Sequence, residues 1–370
     1  MEDSQRMSGQ IICNSCFQPY PDAGTPYRCQ NCGGVFDYKR FPEYIKDTEK
    51  EKPGIWQYRK SFGLASDAPV ISLGEGNTPL VWAEANDQPV AFKCEYQNPT
   101  GSYKDRGAAT LLSFLRQRGI SQAIEDSSGN AGAAFAAYAA RAGISAQVYV
   151  PDSTSGPKRL QIEHYGAEVI RILGARSVVA EKAQAAAAQG MSYASHAYLP
   201  QVLPGYATIA YEIFNELGKM PGVVIAPVGQ GNLLYAIGLG FKAIQSAFHL
   251  DRIPVLIGVQ AQACAPLWAV YTYGPTGLGW VSEAPTIAEG VRIHHPVRGD
   301  MVLQIVQESL GSFFAVDEPQ ILEGRNQLAR RGFYVEPTSA LIWEPLNKLI
   351  AQMPEPVVAI LTGSGLKTVD

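Results

Sequence analysis

Four short stretches carry residue types that can do chemistry, each at the end of an expected strand or the start of an expected helix. In "NPTGSYKDRGA" (98–108), Lys104 follows a Pro-Thr-Gly turn and precedes an alanine-rich run, which sets it in the first turn of a helix. Unsatisfied N–H groups and the helix dipole place partial positive charge there, so the ammonium is disfavoured and the neutral amine of a lysine nucleophile is favoured. The plainer alternative is an exposed lysine paired with Asp105. In "DSSGNAGAAFAAYAARAGI" (126–144), Ser127, Ser128 and Asn130 stand at a helix start, with Gly129 permitting close backbone approach. Such a turn offers N–H donors to a carboxylate and an Asn130 amide to a hydroxyl, or it simply caps the helix. The loop in "APVGQGNLLYAIGLG" (226–240) joins a strand to a helix, where backbone amides cradle phosphate or glycine merely makes a tight turn. In "LTGSGLK" (361–367), Thr362 ends a buried strand and presents a neutral hydroxyl.

The elements that must position these residues alternate regularly. Strands are expected at 89–96, 122–126, 146–151, 167–172, 222–228, 254–260 and 356–363. Helices are expected near 102–118, 130–142, 155–165, 177–189, 207–217, 232–246, 317–331 and 338–352. Strand and helix in alternation mean parallel sheets covered by helices, so the fold class is α/β. Open α/β sheets bind ligands at the carboxyl ends of their strands, where these stretches fall.

Ahead of them, "CNSC" (13–16) and "CQNC" (29–32) place Cys13, Cys16, Cys29 and Cys32 in two CxxC knuckles, followed by Gly33 and Gly34. Four thiolates at this spacing close a tetrahedral zinc site, as in a zinc ribbon, with an empty or redox-active site as the alternative. The stretch has too few apolar residues to fold without metal, so zinc binding and folding are expected to be coupled. The 370 residues suffice for two ordinary domains, and 46% hydrophobic against 17% charged is a globular composition. A net charge of -4 supplies no field for nucleic acid and no basic stretch for a membrane surface. The most continuous apolar run, 131–140, is about half a bilayer span. With a polar amino-terminal stretch and paired cysteines, a cytoplasmic protein is expected.

Taken in order, "LGEGNTPL" (73–80), "NPTGSYKDRG", "SSGNAGAAFAAYAARAGI" and "LTGSGLK" resemble the fold type II pyridoxal-phosphate enzymes, tryptophan synthase β-like in fold. Among these the chain is most similar to the threonine synthases, some of which also carry an amino-terminal zinc ribbon. The resemblance implies a ribbon at 1–44, a large cofactor-binding α/β domain from 45–109 plus 204–370, and a smaller α/β domain at 110–203. It implies pyridoxal phosphate in the cleft between the two domains, carried on the amine of Lys104, which also moves protons. Asn130 would hold the ring hydroxyl, Gly229, Gln230, Gly231, Asn232 and Leu233 the phosphate, and Thr362 the pyridine nitrogen. Ser127, Ser128, Gly129 and Ala131 would shape the pocket for the carboxylate of a small amino-acid substrate. A neutral hydroxyl does not hold the ring nitrogen protonated, which favours elimination over transamination. A homodimer is common among such enzymes.

Two positions depart from the threonine synthase pattern. The loop "GQGNLL" resembles that of serine and threonine dehydratases, and in "GYATIAYE" (205–212) Ala207 stands where a lysine is usual. Lys158, Arg159, Arg176, Arg292 and Arg298 are the other cations available to an anionic substrate, with surface solvation as their alternative role. The five histidines form no nucleophile or metal-ligand pattern and are expected to be structural or pocket-lining. The expected reaction is conversion of O-phospho-L-homoserine and water to L-threonine and phosphate. A serine or threonine dehydratase and a phosphoserine β-replacement enzyme such as a cysteate synthase are the enzyme alternatives. A binding protein built on a vestigial catalytic domain is the alternative of another class, and the joint presence of Lys104, Asn130 and Thr362 argues against it.

Overall fold

Short apolar runs rich in β-branched residues, bounded by turns, form the strands of this chain, and the alanine-rich and amphipathic stretches between them form helices. The computed structural model describes residues 11–154, 156–174 and 176–368. The first ten residues of the expected 1–44 ribbon, and residue 155 at the start of the expected 155–165 helix, lie outside the described residues. In chain order the strands are β1 (Ile11–Cys13), β2 (Phe36–Tyr38), β3 (Leu80–Ala85), β4 (Gln88–Lys93), β5 (Gln122–Glu125) and β6 (Ser145–Pro151). They continue with β7 (Glu168–Ile172), β8 (Ser192–Tyr193), β9 (Val223–Pro227), β10 (Val255–Ala261), β11 (Ser312–Val316) and β12 (Val357–Ile360). All seven expected strands are present, to within a few residues at their ends.

The chain divides into two compact units. One comprises the described residues up to Gly76 together with Lys104–Tyr206, the other Asn77–Tyr103 together with Ala207–Thr368. These limits fall at different points from the expected segment boundaries, because residues 45–76 group with the elements of the smaller sheet. Buried Glu75 shows why: its carboxylate accepts from Trp56 Nε1 at 2.8 Å and from Tyr138 OH at 2.7 Å.

In the first unit β1 and β2 pair antiparallel as a small hairpin, and the four-stranded sheet has the order β7-β6-β5-β8, all parallel. The helix Asn130–Ala142 is apolar on nearly every side and correspondingly buried, and it stops at Gly143, whose φ of 65° is the left-handed cap that glycine adopts without strain. The two-residue strand β8 escapes sequence reading, yet it closes the sheet edge beside β5.

In the second unit the sheet order is β11-β10-β9-β12-β4-β3, parallel except for β3. The hairpin β3–β4 turns through Asn86 and Asp87 at φ 47° and 58°, values that these short polar side chains tolerate. The core gathers Val90, Phe92, Ile225, Val259, Leu341 and Ala359 among others, all buried. Of these, Val90, Phe92, Ile225, Val259 and Leu341 each contribute about 1.5–3 kcal/mol on burial. Among the described residues no helix is long and apolar enough to cross a membrane.

Candidate active site

In the first unit, Lys104 is the first residue of the helix Lys104–Gln117. Its ammonium lies 5.8 Å from the centroid of the Tyr206 ring. Gly107, one turn along on the same face, makes that approach possible: a Cβ there would come within 2.5 Å of the same ring. A small recess opens here, lined by Lys104, Ala131, Phe135 and Tyr206 and, on the strand side, by Glu125 and His196. The turn at the end of β5 sets Ser127 buried and Ser128, Gly129 and Asn130 half-buried. It folds back on the helix it starts, since a Cβ on Gly132 would lie 1.8 Å from the Ser127 carbonyl oxygen. Ser127 Oγ accepts from the Gly129 N–H at 3.3 Å, and Gly129, as N-cap, brings no side chain to the Asn130–Ala142 helix. The expected helix-start position of Lys104 and Asn130 is therefore met, and Ala131 lines the recess with Lys104.

The sequence reading missed Glu125 and treated His196 only as one of five histidines. His196 Nδ1 lies 2.8 Å from Glu125 Oε1, and the His196 backbone N–H donates to Oε2 at 3.3 Å. Burial pushes the Glu125 carboxyl up to about 7. Burial, followed by the positive charge of Lys104, holds the His196 imidazole well below its usual range, so the ring is neutral. The signal available in the sequence was an acidic residue ending an apolar strand, "QAIE".

In the second unit, β9 leads through 228–231 into the helix Asn232–Phe248. Gly231 has φ 83° and, as the N-cap of this 17-residue helix, brings no side chain to it, so the backbone amides of the first turn and the helix dipole face the loop. A Cβ on Gly231 would lie 2.5 Å from Val302 Cγ2, and one on Gly229 would lie 2.9 Å from the Gly290 carbonyl oxygen. Gln230 is engaged elsewhere, its Oε1 accepting from Val297 N–H at 3.0 Å, and Leu233 is buried in the core. The loop therefore offers main-chain donors more than side chains.

Thr362 follows β12 and is buried, its hydroxyl 2.9 Å from the hydroxyl of Ser339, which also accepts from Gly363 N–H at 3.0 Å. Ser339 was not singled out in the sequence. The segment before Lys104 docks on this turn as a short antiparallel strand: Tyr103 N–H donates to the Thr362 carbonyl at 3.1 Å and Ser364 N–H to that of Gly101 at 2.9 Å. Buried Lys367 ties it down by donating to the Thr100 carbonyl at 2.7 Å.

The cations sort by environment. Arg159 sits 3.4 Å from Glu163, and Arg292 donates to the Glu283 carbonyl at 2.9 Å, both partly exposed. Arg298 is fully buried and follows Val297, the partner of Gln230. Ala207 is fully buried against Gly240 of the next helix, so in this chain position 207 is a helix-packing position.

The thiols of Cys13, Cys16, Cys29 and Cys32 lie within 4.8 Å of one another, with Cys13–Cys32 and Cys16–Cys29 sulfur separations of 3.5 Å. Tetrahedral zinc with Zn–S of about 2.3 Å sets sulfurs about 3.8 Å apart, so the cluster is compatible with zinc. A backbone hydrogen bond from Gln18 is the main cause lowering the Cys16 thiol to about 6, whereas the Cys32 thiol, despite a lowering bond from the Gly34 backbone, is pushed up to about 12 by bonds to Cys16 and Cys13.

Each unit thus supplies features that fit pyridoxal phosphate: an amine at a helix start beside a glycine-bearing turn, and a main-chain anion cradle with a buried neutral hydroxyl pair. A family model described as pyridoxal-phosphate dependent enzyme matches residues 71–363. The threonine synthase of Methanocaldococcus jannaschii is 31% identical over 97% of this chain and 93% of its own length. That of Synechocystis sp. is 35% identical over 85% of this chain and 83% of its own. The crystal structure of a threonine deaminase from T.th. superposes with a TM-score of 0.67 at 25% identity, covering 79% of this chain and 94% of that one. The similarities support lyase chemistry and confirm the expected fold type II architecture: the chain belongs to the pyridoxal-phosphate-dependent enzymes.

Proposed function

We propose that this chain is a threonine synthase, converting O-phospho-L-homoserine and water to L-threonine and phosphate. The observation that carries the reading is the neutral hydroxyl of Thr362, buried and tied to Ser339, where a carboxylate would favour other chemistry. Similarity to threonine synthases over most of the chain supports the substrate class. Pyridoxal phosphate, when bound, supplies an electron sink for charge developing beside the substrate amine. Lys104 would hold the cofactor and move protons at Nζ. Asn130 would hold the ring hydroxyl and Thr362 would meet the ring nitrogen. Backbone amides of Gly229, Gln230, Gly231, Asn232 and Leu233 would hold the cofactor phosphate, drawing on the dipole of the helix that Gly231 begins. Ser127, Ser128, Gly129 and Ala131 orient the substrate carboxylate and exclude water from it. Buried Arg298, next to the partner of Gln230, is the cation best placed on the glycine-loop side for phosphate charge. A structural zinc on Cys13, Cys16, Cys29 and Cys32, a cytoplasmic setting and a homodimer belong to the same reading.

A β-eliminating serine or threonine deaminase is the second reading, favoured by the "GQGNLL" loop and by the likeness to a threonine deaminase structure. Purified, cofactor-loaded protein given O-phospho-L-homoserine decides between them. Equal yields of phosphate and threonine support the synthase. Ketoacid from L-serine or L-threonine, with no phosphate released from phosphohomoserine, assigns the deaminase.

A further inference from the structure

Glu125 and His196 share the recess of Lys104 and have no part in the cofactor contacts proposed for this chain. Glu125 ends β5, and His196 follows β8, the parallel neighbour of β5, so sheet pairing joins two residues 71 positions apart. Two contacts fix the imidazole: Nδ1 to Oε1 at 2.8 Å and the backbone N–H to Oε2 at 3.3 Å. With Nδ1 committed to the carboxyl group, exchange between the ring and the recess passes through Nε2. A fully buried carboxyl group held against a partly buried imidazole is costly to desolvate, and packing alone would be served as well by apolar side chains. Its place beside an amine is the arrangement of a base held by a third group.

We propose that Glu125 and His196 form a proton relay for Lys104, an inference that rests on Lys104 being the amine that carries the cofactor. One proton leaves Lys104 Nζ for His196 Nε2 while the proton on Nδ1 passes to the Glu125 carboxylate. The ammonium becomes an amine, the carboxylate becomes a carboxyl, and the imidazole stays neutral in its other tautomer; the reverse transfer restores all three. No new isolated charge is left in the buried recess.

The electrostatics agree with the geometry. Burial brings the Glu125 carboxyl to about 7, where a proton store works best near neutral pH, and keeps the ring neutral as a conduit. The other groups facing the pair are Asp126 beside Glu125, Tyr193 on β8, Arg176 and Lys104 itself. Burial raises Asp126 and Tyr193, which weakens both as competing anions, while Arg176 and Lys104 favour the Glu125 carboxylate.

The test begins on the cofactor-free chain. The reactivity of Lys104 toward an acylating reagent is followed by peptide mass spectrometry between about pH 5 and 9. The profile is expected to carry a break at the Glu125 titration, absent in Glu125→Gln and present, though displaced, in Glu125→Asp. In the loaded enzyme, His196→Asn is expected to lower kcat by about 100-fold with KM little changed. On the unmutated chain, ring-nitrogen NMR should show His196 exchanging tautomers without becoming charged as Glu125 titrates, a measurement that survives any folding defect of the variants. A labelling profile in folded Glu125→Gln identical to the native one, or an imidazolium forming at His196 in that range, overturns the relay. Cofactor found on a different lysine overturns instead the assignment of Lys104, and the labelling of the cofactor-free chain still reports on the pair.

Discussion

Replacing Gly231 by alanine tests whether the loop after β9 is shaped to hold an anion. Gly231 has φ 83°, and an added Cβ would lie 2.5 Å from Cγ2 of fully buried Val302. The left-handed backbone costs alanine about 1–2 kcal/mol. Crowding a packed core adds about 1–3 kcal/mol. Together Gly231→Ala is expected to destabilise the cofactor-free chain by about 2–5 kcal/mol, read as a lower denaturant midpoint. If the loop yields and one amide loses its aim at the phosphate, about 1.5–3 kcal/mol of charge-assisted hydrogen bonding goes with it, a roughly 10- to 100-fold weaker affinity for pyridoxal phosphate by equilibrium dialysis. The double variant Gly231→Ala with Val302→Ala removes the clash but not the backbone strain. It should therefore recover part of the crowding term, giving a coupling of about 0.5–3 kcal/mol. An unchanged midpoint together with unchanged cofactor affinity in Gly231→Ala would refute the reasoning.

Four further outcomes follow from particular contacts. Thr362→Val should cost about 0.5–1.5 kcal/mol, since Ser339 keeps its bond from Gly363 N–H, yet lower turnover at least tenfold with full cofactor content by absorbance; normal turnover would remove Thr362 from the site. Lys93→Met leaves Glu212 buried without the ammonium now 2.8 Å away and is expected to destabilise by about 3–5 kcal/mol in denaturant titration. Stripping metal with a chelator should release zinc and change the near-ultraviolet dichroism of Tyr27, Tyr193 and Tyr198, whose rings pack together, and protein purified without zinc but with this signal intact would count against the ribbon. Because Glu125 titrates higher folded than unfolded, its contribution to stability is full below about pH 4.3 and is lost as pH rises through about 7, so Glu125→Gln should flatten the stability profile across that window.

The parts of the site that are local in sequence were legible before the structure. Lys104, Asn130 and the glycine loop each sit at a junction that a strand, a turn and a helix announce within about ten residues. Partners brought together from distant elements were not legible: Glu125 meets His196 across 71 positions through the pairing of β5 with β8, and Thr362 meets Ser339, on the short helix Pro337–Ala340, across 23. Proline accounts for two helix boundaries that were misplaced. The helix Leu203–Leu217 starts four residues before the expected 207 because Pro204 fits in a first turn, where no N–H is needed. The expected 338–352 helix instead breaks into Pro337–Ala340 and Trp343–Leu349, since Pro345 in a continuous helix would clash with the carbonyl of residue 341. Strand β3 escaped because its edge position leaves most of its side chains at least partly exposed, and β11 is short with a mixed burial pattern. The helices Pro266–Tyr273 and Gly299–Glu308 lie among glycine- and proline-rich loops that hid their periodicity.

The most direct test of the account is to reduce the cofactor-loaded protein with borohydride and locate the pyridoxyl mass by peptide sequencing. The modification is expected on the peptide containing residues 98–106, at Lys104 and at no other lysine, and to be absent in Lys104→Ala. A pyridoxyl group on another lysine, or none on a protein that still turns over substrate, would contradict the assignment of Lys104 on which the proposed chemistry depends.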